Sequence, residues 1–329
     1  MKKFAILGSG TWGTAIANML INMGHQVSVW SPDKNEVETL DRTRTHKNLP
    51  GSILHKDIVF SSNLKEAIEG KDYVIFATPS VFMRSTAERS KEILNTNQIL
   101  ITVAKGIEPK TEFTMSEILT DVLGKEYKVI ALSGPTHAEE VAIGLPTLIV
   151  ASSEDEQVAK ELRDCISNDV LRVYSNTDIK GVEIAGALKN IIALASGMSE
   201  GMGFGDNAKA AIITRGLAEI TRLGMAMGCN QETFAGLAGI GDIVVTATSN
   251  HSRNHNAGVL LAQGYSLQET LDKIGMVVEG INALIAAKEL SQIYHVELPI
   301  VDAVYSVIYE GVDSKDAVNK LFNRKTKSE

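Results

Sequence analysis

Near its start the chain reads Phe4-Ala5-Ile6-Leu7-Gly8-Ser9-Gly10-Thr11-Trp12-Gly13, an apolar strand running straight into three spaced glycines and then a helix. Few folds accept that order. Gly8 permits a sharp turn off the strand, Gly10 leaves room for another group to approach the backbone, and Gly13 lets the helix lie close on a sheet. A helix from Thr11 to Met23 aims its first amides at whatever sits over Gly10. Ala15, Ile16, Met19 and Leu20 give that helix an apolar face, Gly24 ends it, and Val27-Ser28-Val29-Trp30 supplies a second strand. The triplet alone also suits a structural turn. With these flanks it predicts a dinucleotide site, with the pyrophosphate over Gly8, Gly10 and Gly13.

Strand and helix patterns then alternate. Apolar runs at Asp57–Phe60, Tyr73–Ala77, Gln98–Val103, Val129–Leu132, Thr147–Ala151 and Leu171–Tyr174 read as strands. After about Thr177 the strand signals stop. Helical patterns follow at Ile179–Ser199, Ala208–Met227, Thr233–Leu237, Gln268–Ile274, Gly280–Tyr294, Pro299–Tyr309 and Ser314–Phe322, and residues 323–327 read as a polar tail. The predicted class is α/β: an N-terminal Rossmann-type doubly wound, mostly parallel sheet over residues 1–175, followed by an all-α C-terminal domain over 176–329.

The balance of 32 basic against 40 acidic residues gives a net charge of −8, which argues against nonspecific binding to nucleic acid. A bound phosphate must then be met by locally placed cations. No apolar run reaches the ~18 residues of a membrane span, and no leader-like segment follows Met1-Lys2-Lys3, so a soluble protein without membrane insertion is expected. Cys165 and Cys229 stand far apart and read as reduced thiols of a cytoplasmic protein.

Ligands of such sheets collect beyond the carboxyl ends of the strands. Three segments fall there: Ala77-Thr78-Pro79-Ser80, Ala104-Lys105-Gly106 and Ser133-Gly134-Pro135-Thr136-His137-Ala138. Lys105 is the only cation among them, either a partner for a ligand oxygen or a solvated lysine at a strand end. In the second half, Lys189 lies within Val182-Glu183-Ile184-Ala185-Gly186-Ala187-Leu188-Lys189-Asn190-Ile191-Ile192, a helix apolar or small on nearly every side. A lysine there must snorkel to solvent or line a cleft, where desolvation would tune it for proton transfer. Asn190 is a candidate to hold it. Asp242 follows Gly239-Ile240-Gly241, and Ser252-Arg253-Asn254 offers a hydroxyl, a guanidinium and an amide, suited to a phosphate dianion or to capping a surface turn. His251 and His255 have helical metal-ligand spacing but no third ligand nearby, so no metal is expected. Met276-Val277-Val278-Glu279-Gly280 is a further contact candidate that equally fits a buried link.

Taken in order, Gly8-Ser9-Gly10-Thr11-Trp12-Gly13, Lys105-Gly106, Ser133-Gly134-Pro135-Thr136, Ala187-Leu188-Lys189-Asn190, Gly239-Ile240-Gly241-Asp242, Ser252-Arg253-Asn254 and Val277-Val278-Glu279-Gly280 resemble the bacterial NAD(P)-dependent sn-glycerol-3-phosphate dehydrogenases over nearly the whole chain. The resemblance implies reversible reduction of dihydroxyacetone phosphate to sn-glycerol 3-phosphate with NADP or NAD. It implies Lys189 as the proton-transfer residue. Implied substrate contacts are Lys105, Gly134, Thr136, Lys189, Asp242, Ser252, Arg253 and Asn254. Implied cofactor contacts, beside the glycines, are Thr11, Trp12, Lys105, Ala138, Arg253, Val277 and Glu279. A homodimer and a role in phospholipid synthesis are implied as well. The competing readings are another two-domain β-hydroxyacid dehydrogenase and a non-catalytic nucleotide sensor.

Cofactor preference turns on the end of the second strand. NAD-specific sites place Asp or Glu about 20 residues past the glycines. Here Trp30 and Ser31 occupy that position, and Lys34 can offset Asp33. The arginine that the family often carries in this loop is missing. With no carboxylate evident at the strand end, NADPH is expected to serve at least as well as NADH.

Overall fold

The computed structural model describes residues 1–325, apart from the Phe322 side chain; residues 326–329, which include the last two of the expected polar tail, lie outside the described residues. The chain forms two units, Met1–Lys105 with Phe113–Glu183, and Gly106–Glu112 with the chain from Ile184 onward.

In chain order the first unit contains β1 (Lys3–Leu7), α1 (Thr11–Asn22), β2 (Gln26–Trp30), α2 (Lys34–Thr43), β3 (Val59–Ser61), α3 (Leu64–Ile68), β4 (Tyr73–Phe76), α4 (Met83–Ser90), β5 (Ile99–Thr102), α5 (Met115–Leu123), β6 (Lys128–Ser133), α6 (Ala138–Ala142), β7 (Thr147–Ser152), α7 (Glu156–Ile166) and β8 (Leu171–Asn176). Helix α8 (Ile179–Gly201) starts in this unit and continues into the second. The eight strands lie in the order β3-β2-β1-β4-β5-β6-β7-β8, every neighbouring pair parallel except β6 and β7. This is the expected α/β class. Central strands of such a sheet are covered on both faces and so read as unbroken apolar runs. Accordingly Phe4, Ile6, Ile75 and Ile101 pack on one face, and Ala5, Leu7, Val74, Phe76 and Leu100 on the other.

The strand order reverses between β1 and β4, which opens a crevice at their carboxyl ends. Two glycines make that crevice. Gly8 has φ +125°, and a β-carbon on it would lie 2.7 Å from the Ala77 carbonyl oxygen. One on Gly13 would lie 2.2 Å from the Gly8 carbonyl oxygen. Any side chain at either position would push α1 and β4 off the end of β1.

The second unit is helical: α8, then α9 (Asp206–Ala226), α10 (Gln231–Phe234), a π-helical turn at Leu237–Gly241, α11 (Asp242–Thr248), α12 (Arg253–Ala262), α13 (Leu267–Ile274), α14 (Glu279–Ile293), α15 (Pro299–Tyr309) and α16 (Ser314–Phe322). Ile184, Leu188, Ile191 and Leu194 of α8 are buried with Phe234, Ile243, Leu284 and Leu290, so α8 is the axis of this core. Helix α12 crosses it almost backbone to backbone. A β-carbon on Gly197 would lie 1.9 Å from the His255 carbonyl oxygen, and one on Gly258 2.1 Å from that of Leu194. Helices α11 and α12 carry no clear sequence signal and are additions to the sequence reading. Among the described residues no helix is long and apolar enough to cross a membrane.

At the start of α8, the buried carboxylate of Glu183 accepts hydrogen bonds from the Ser116 amide (2.9 Å) and the Ser116 hydroxyl, holding the N-terminal turn of α5. Burial pushes its pKa from 4.5 up to about 7, and the Ser116 and Thr114 hydrogen bonds only partly oppose this. The folded protein therefore holds a proton that the unfolded chain has released between about pH 4.5 and 7. Stability linked to this group is fully present below pH 4.5 and is lost as pH rises through 7. Glu183→Gln, which cannot ionise, should remove that loss. Urea unfolding of parent and variant is expected to diverge in favour of the variant between about pH 5 and 7, by on the order of 3 kcal/mol, and then run parallel. Stability curves parallel throughout this range would show that Glu183 does not titrate as described.

Candidate active site

In the first unit, Gly10 stands at the N-terminus of α1 with no atom within 4 Å of where its β-carbon would be, so the approach to the helix amides is open. The first amides of a helix have no acceptor within it. The Thr11 Oγ1, at the start of α1, and the Thr78 Oγ1, just beyond β4, are both buried without a hydrogen-bond partner. Unpaired buried hydroxyls are costly unless a ligand or water meets them. Open glycine, free amides and two orphaned hydroxyls at one crevice fit a dinucleotide pyrophosphate. Trp12 packs beside Ala15, Leu49 and Ala138, so Ala138 at the start of α6 supports α1 from the side.

Beyond β5, Lys105 Nζ donates to the Gly134 carbonyl (3.0 Å), and the Thr136 hydroxyl donates to the same oxygen (3.1 Å). Three predicted residues from two strand ends thus converge on one atom. Gly134 has φ +144°, and a β-carbon there would press on Ile149 Cα at 3.1 Å. The end of β2 differs from the sequence reading. A carboxylate does stand there: Ser31 Oγ donates to Glu36 Oε2 (2.8 Å), and Ser9 Oγ donates to the same oxygen. Glu36 belongs to the first turn of α2, and sequence spacing placed it too far along the chain to be considered.

In the second unit, the buried Lys189 Nζ donates to Asp242 Oδ1 (2.5 Å) and to Thr246 Oγ1 (2.6 Å). Their side chains are only 8% and 1% exposed for the lysine and the aspartate, so Lys189 lines the interior and does not snorkel outward. The carboxylate offsets the cost of burying the ammonium. Asp242 follows a π-helical turn that packs directly on the end of α10: a β-carbon on Gly239 would lie 2.0 Å from the Phe234 carbonyl oxygen. Such turns recur at functional sites. Thr246 was missed by sequence reasoning. Its signal is the spacing of four from Asp242, which matters only if the segment is helical.

Asn190 points to Asn254, accepting from its Nδ2 (3.0 Å), while the Asn254 Oδ1 accepts from the Gly280 amide (2.8 Å). Asn254 is thereby a buried tie between α8, α12 and the start of α14. Ser252 is the N-cap of α12, its hydroxyl accepting from the His255 amide (3.2 Å), and the exposed Arg253 donates to the Val277 carbonyl (2.8 Å). Ser252 and Arg253 therefore sit at the N-terminus of a ten-residue helix, where amides and a guanidinium together favour a phosphate. Glu279 opens α14 directly after this loop. The His255 ring is buried, with Nε2 3.4 Å from Glu200 Oε2.

Comparison with known proteins bears on what these groups do. Residues 3–159 match the family model of the NAD-dependent glycerol-3-phosphate dehydrogenase N-terminus, and residues 178–319 that of the C-terminus. A glycerol-3-phosphate dehydrogenase [NAD(P)+] 2 from Lactobacillus delbrueckii subsp. bulgaricus is 52% identical, covering 100% of this chain and 99% of its own. The glycerol-3-phosphate dehydrogenase [NAD(P)+] of Thermoanaerobacter sp. is 46% identical, covering 99% of this chain and 98% of its own. Among solved structures, a glycerol-3-phosphate dehydrogenase from Coxiella burnetii superposes with a TM-score of 0.94 at 34% identity, over 98% of this chain and 99% of that one.

The buried pair yields a stability prediction of its own. Asp242→Ala leaves the Lys189 ammonium without its anion inside a helical core, and breaking a buried pair in this way costs about 3–5 kcal/mol. The midpoint of urea unfolding should fall accordingly. Removing both partners together in Lys189→Met/Asp242→Ala should restore part of the loss. A single variant as stable as the parent would contradict the pairing.

Proposed function

The chain belongs to the NAD-dependent glycerol-3-phosphate dehydrogenase family, interconverting dihydroxyacetone phosphate and sn-glycerol 3-phosphate with NAD or NADP, and on that premise we propose that Lys189 moves the proton in this reaction. The observation that carries the proposal is the Lys189 ammonium held at 2.5 Å by Asp242 and 2.6 Å by Thr246, buried in the middle of α8. The full-length relatives do not favour a β-hydroxyacid substrate or a non-catalytic sensor.

The reduced nicotinamide, when bound, supplies hydride to C2 of the ketone. The ketone oxygen then gathers negative charge and needs one proton to become the alcohol. Lys189 gives that proton from Nζ and takes it back in the reverse direction. Two acceptors already fix the ammonium, so little reorganisation remains when charge develops. Asp242 also favours reprotonation of the amine once the proton has left. Arg253 and the first turn of α12 grip the substrate phosphate, where binding energy positions the carbonyl without touching it. Asn254, tied to Asn190 and Gly280, holds that turn in register with α8. In the first unit, the crevice over Gly8, Gly10 and Gly13 takes the pyrophosphate, and Lys105, Gly134 and Thr136 form a polar group at the ends of β5 and β6. The family resemblance also supports a cytoplasmic homodimer whose product feeds phospholipid synthesis.

Lys189→Met keeps most of the side chain's length and removes the proton. It should retain dinucleotide binding while kcat and kcat/KM both fall by roughly 10²- to 10⁴-fold. Near-normal kcat, with chemistry shown to limit turnover, would shift the role to Lys105. Arg253→Ala should lower kcat/KM for dihydroxyacetone phosphate far more than for unphosphorylated dihydroxyacetone, since it removes charge-assisted bonds to a dianion. Equal losses on both substrates would assign Arg253 to the cofactor or the fold.

A further inference from the structure

The end of β2 and the glycine turn after β1 are joined by one carboxylate oxygen. Glu36 Oε2 accepts from the hydroxyl of Ser9, inside the glycine turn, and from that of Ser31, the first residue past β2, at 2.8 Å. Both serines are buried, 4% and 3% exposed. Ser31 Oγ in turn accepts from the Asp33 amide (3.3 Å), so its proton is committed to Glu36. The helix that carries Glu36 is anchored: Asp33 caps α2 by accepting from the Asn35 amide (2.9 Å) and the Glu36 amide (3.2 Å). Asp33, the acid nearest the strand end in sequence, is thus turned toward the helix. Glu36 is turned toward the crevice. Its Oε1 makes no hydrogen bond among the described residues.

In a Rossmann unit the adenosine ribose lies over the end of β2, and a carboxylate there accepts from its hydroxyls. We propose that Glu36 selects the cofactor, accepting from the ribose hydroxyls of NAD(H) through its uncommitted oxygen and repelling the 2′-phosphate of NADP(H). The assignment rests on the dehydrogenase reading only for the use of a nicotinamide dinucleotide. It reverses the preference for NADPH drawn from Trp30 and Ser31 alone.

Neighbouring charges do not cancel it. His46 is buried beside Ser9 and Glu36; desolvation lowers its pKa below 6.5, leaving the ring neutral at pH 7. Arg44 is occupied by Asp41 (2.6 Å) and the Ile58 carbonyl (2.8 Å). Lys34 and Lys47 are exposed, and so is Arg89, whose guanidinium lies over the Trp30 ring at 4.8 Å, so water and salt screen all three. A carboxylate fixed by two hydroxyls outweighs these solvated cations for a phosphate placed against it.

The test is a calorimetric titration of NADH and of NADPH into the whole protein without substrate, repeated with Glu36→Gln. The parent should bind NADH at least about tenfold more tightly than NADPH, because a phosphate dianion a few ångströms from a fixed carboxylate is strongly disfavoured. Glu36→Gln keeps the shape and can still accept from both serines; it should narrow the ratio at least about tenfold, chiefly by tightening NADPH. High salt should narrow the parent's ratio in the same direction, a readout that needs no variant. Adenosine 2′,5′-bisphosphate and adenosine 5′-monophosphate should rank as the whole dinucleotides do. Equal affinity of the parent for NADH and NADPH, or a ratio unmoved by both Glu36→Gln and salt, overturns the role of Glu36. Failure of the parent to bind either dinucleotide overturns the dehydrogenase reading itself, and the proposal with it.

Discussion

An ammonium buried in a helical core must find an anion or cease to be charged, and the second unit is arranged around meeting that condition for Lys189. Helix α8 is apolar on nearly every side because it is the axis of the bundle. The single cation in its middle can be kept only if Asp242 comes within hydrogen-bond range. Asp242 opens α11 directly after the π-helical turn at Leu237–Gly241, and Gly239 lets that turn lie against the end of α10.

A different constraint governs the first unit. Gly8 and Gly13 are needed where main chain meets main chain, whereas Gly10 is needed for empty space. One spaced triplet therefore answers two unlike demands, close packing and ligand access. Orphaned hydroxyls on Thr11 and Thr78 mark the same crevice from its two sides. Hydroxyls left unpaired inside a protein are tolerable where something else is meant to pair with them.

Much of this was legible in the residues. Unbroken apolar runs such as Tyr73–Phe76 announced a sheet covered on both faces, and the change from strand to helix patterns after Leu171–Asn176 announced the helical half. Reversal of β7 against β6 was not legible, because an alternating strand and helix pattern carries no direction. Helix α11 was hidden by its own composition: Ile243, Val244, Val245 and Thr246 are β-branched, and packing of Ile243 into the core overrides that preference. Thr246 was hidden with it. Glu36 was missed for another reason. Its place at the end of β2 depends on Ser9 and Ser31 lying side by side, which is set by pairing of β1 with β2 and by no spacing along the chain.

The crossing of α8 and α12 has a consequence for selectivity. Most helix pairs meet through side chains, which yield by changing rotamer, so one helix can shift a little along the other. At Gly197 and Gly258 the contact is carbonyl against α-carbon, and nothing in it can bend. Helix α12 cannot creep along α8. The first turn of α12 and the Lys189 ammonium are then like the two jaws of a caliper, one set by this backbone contact and the other by the Asp242 and Thr246 bonds that fix the ammonium. On the roles proposed for Arg253 and Lys189, a molecule gripped by its phosphate at one jaw would present its reacting carbon to the other only if its carbon chain has the matching length.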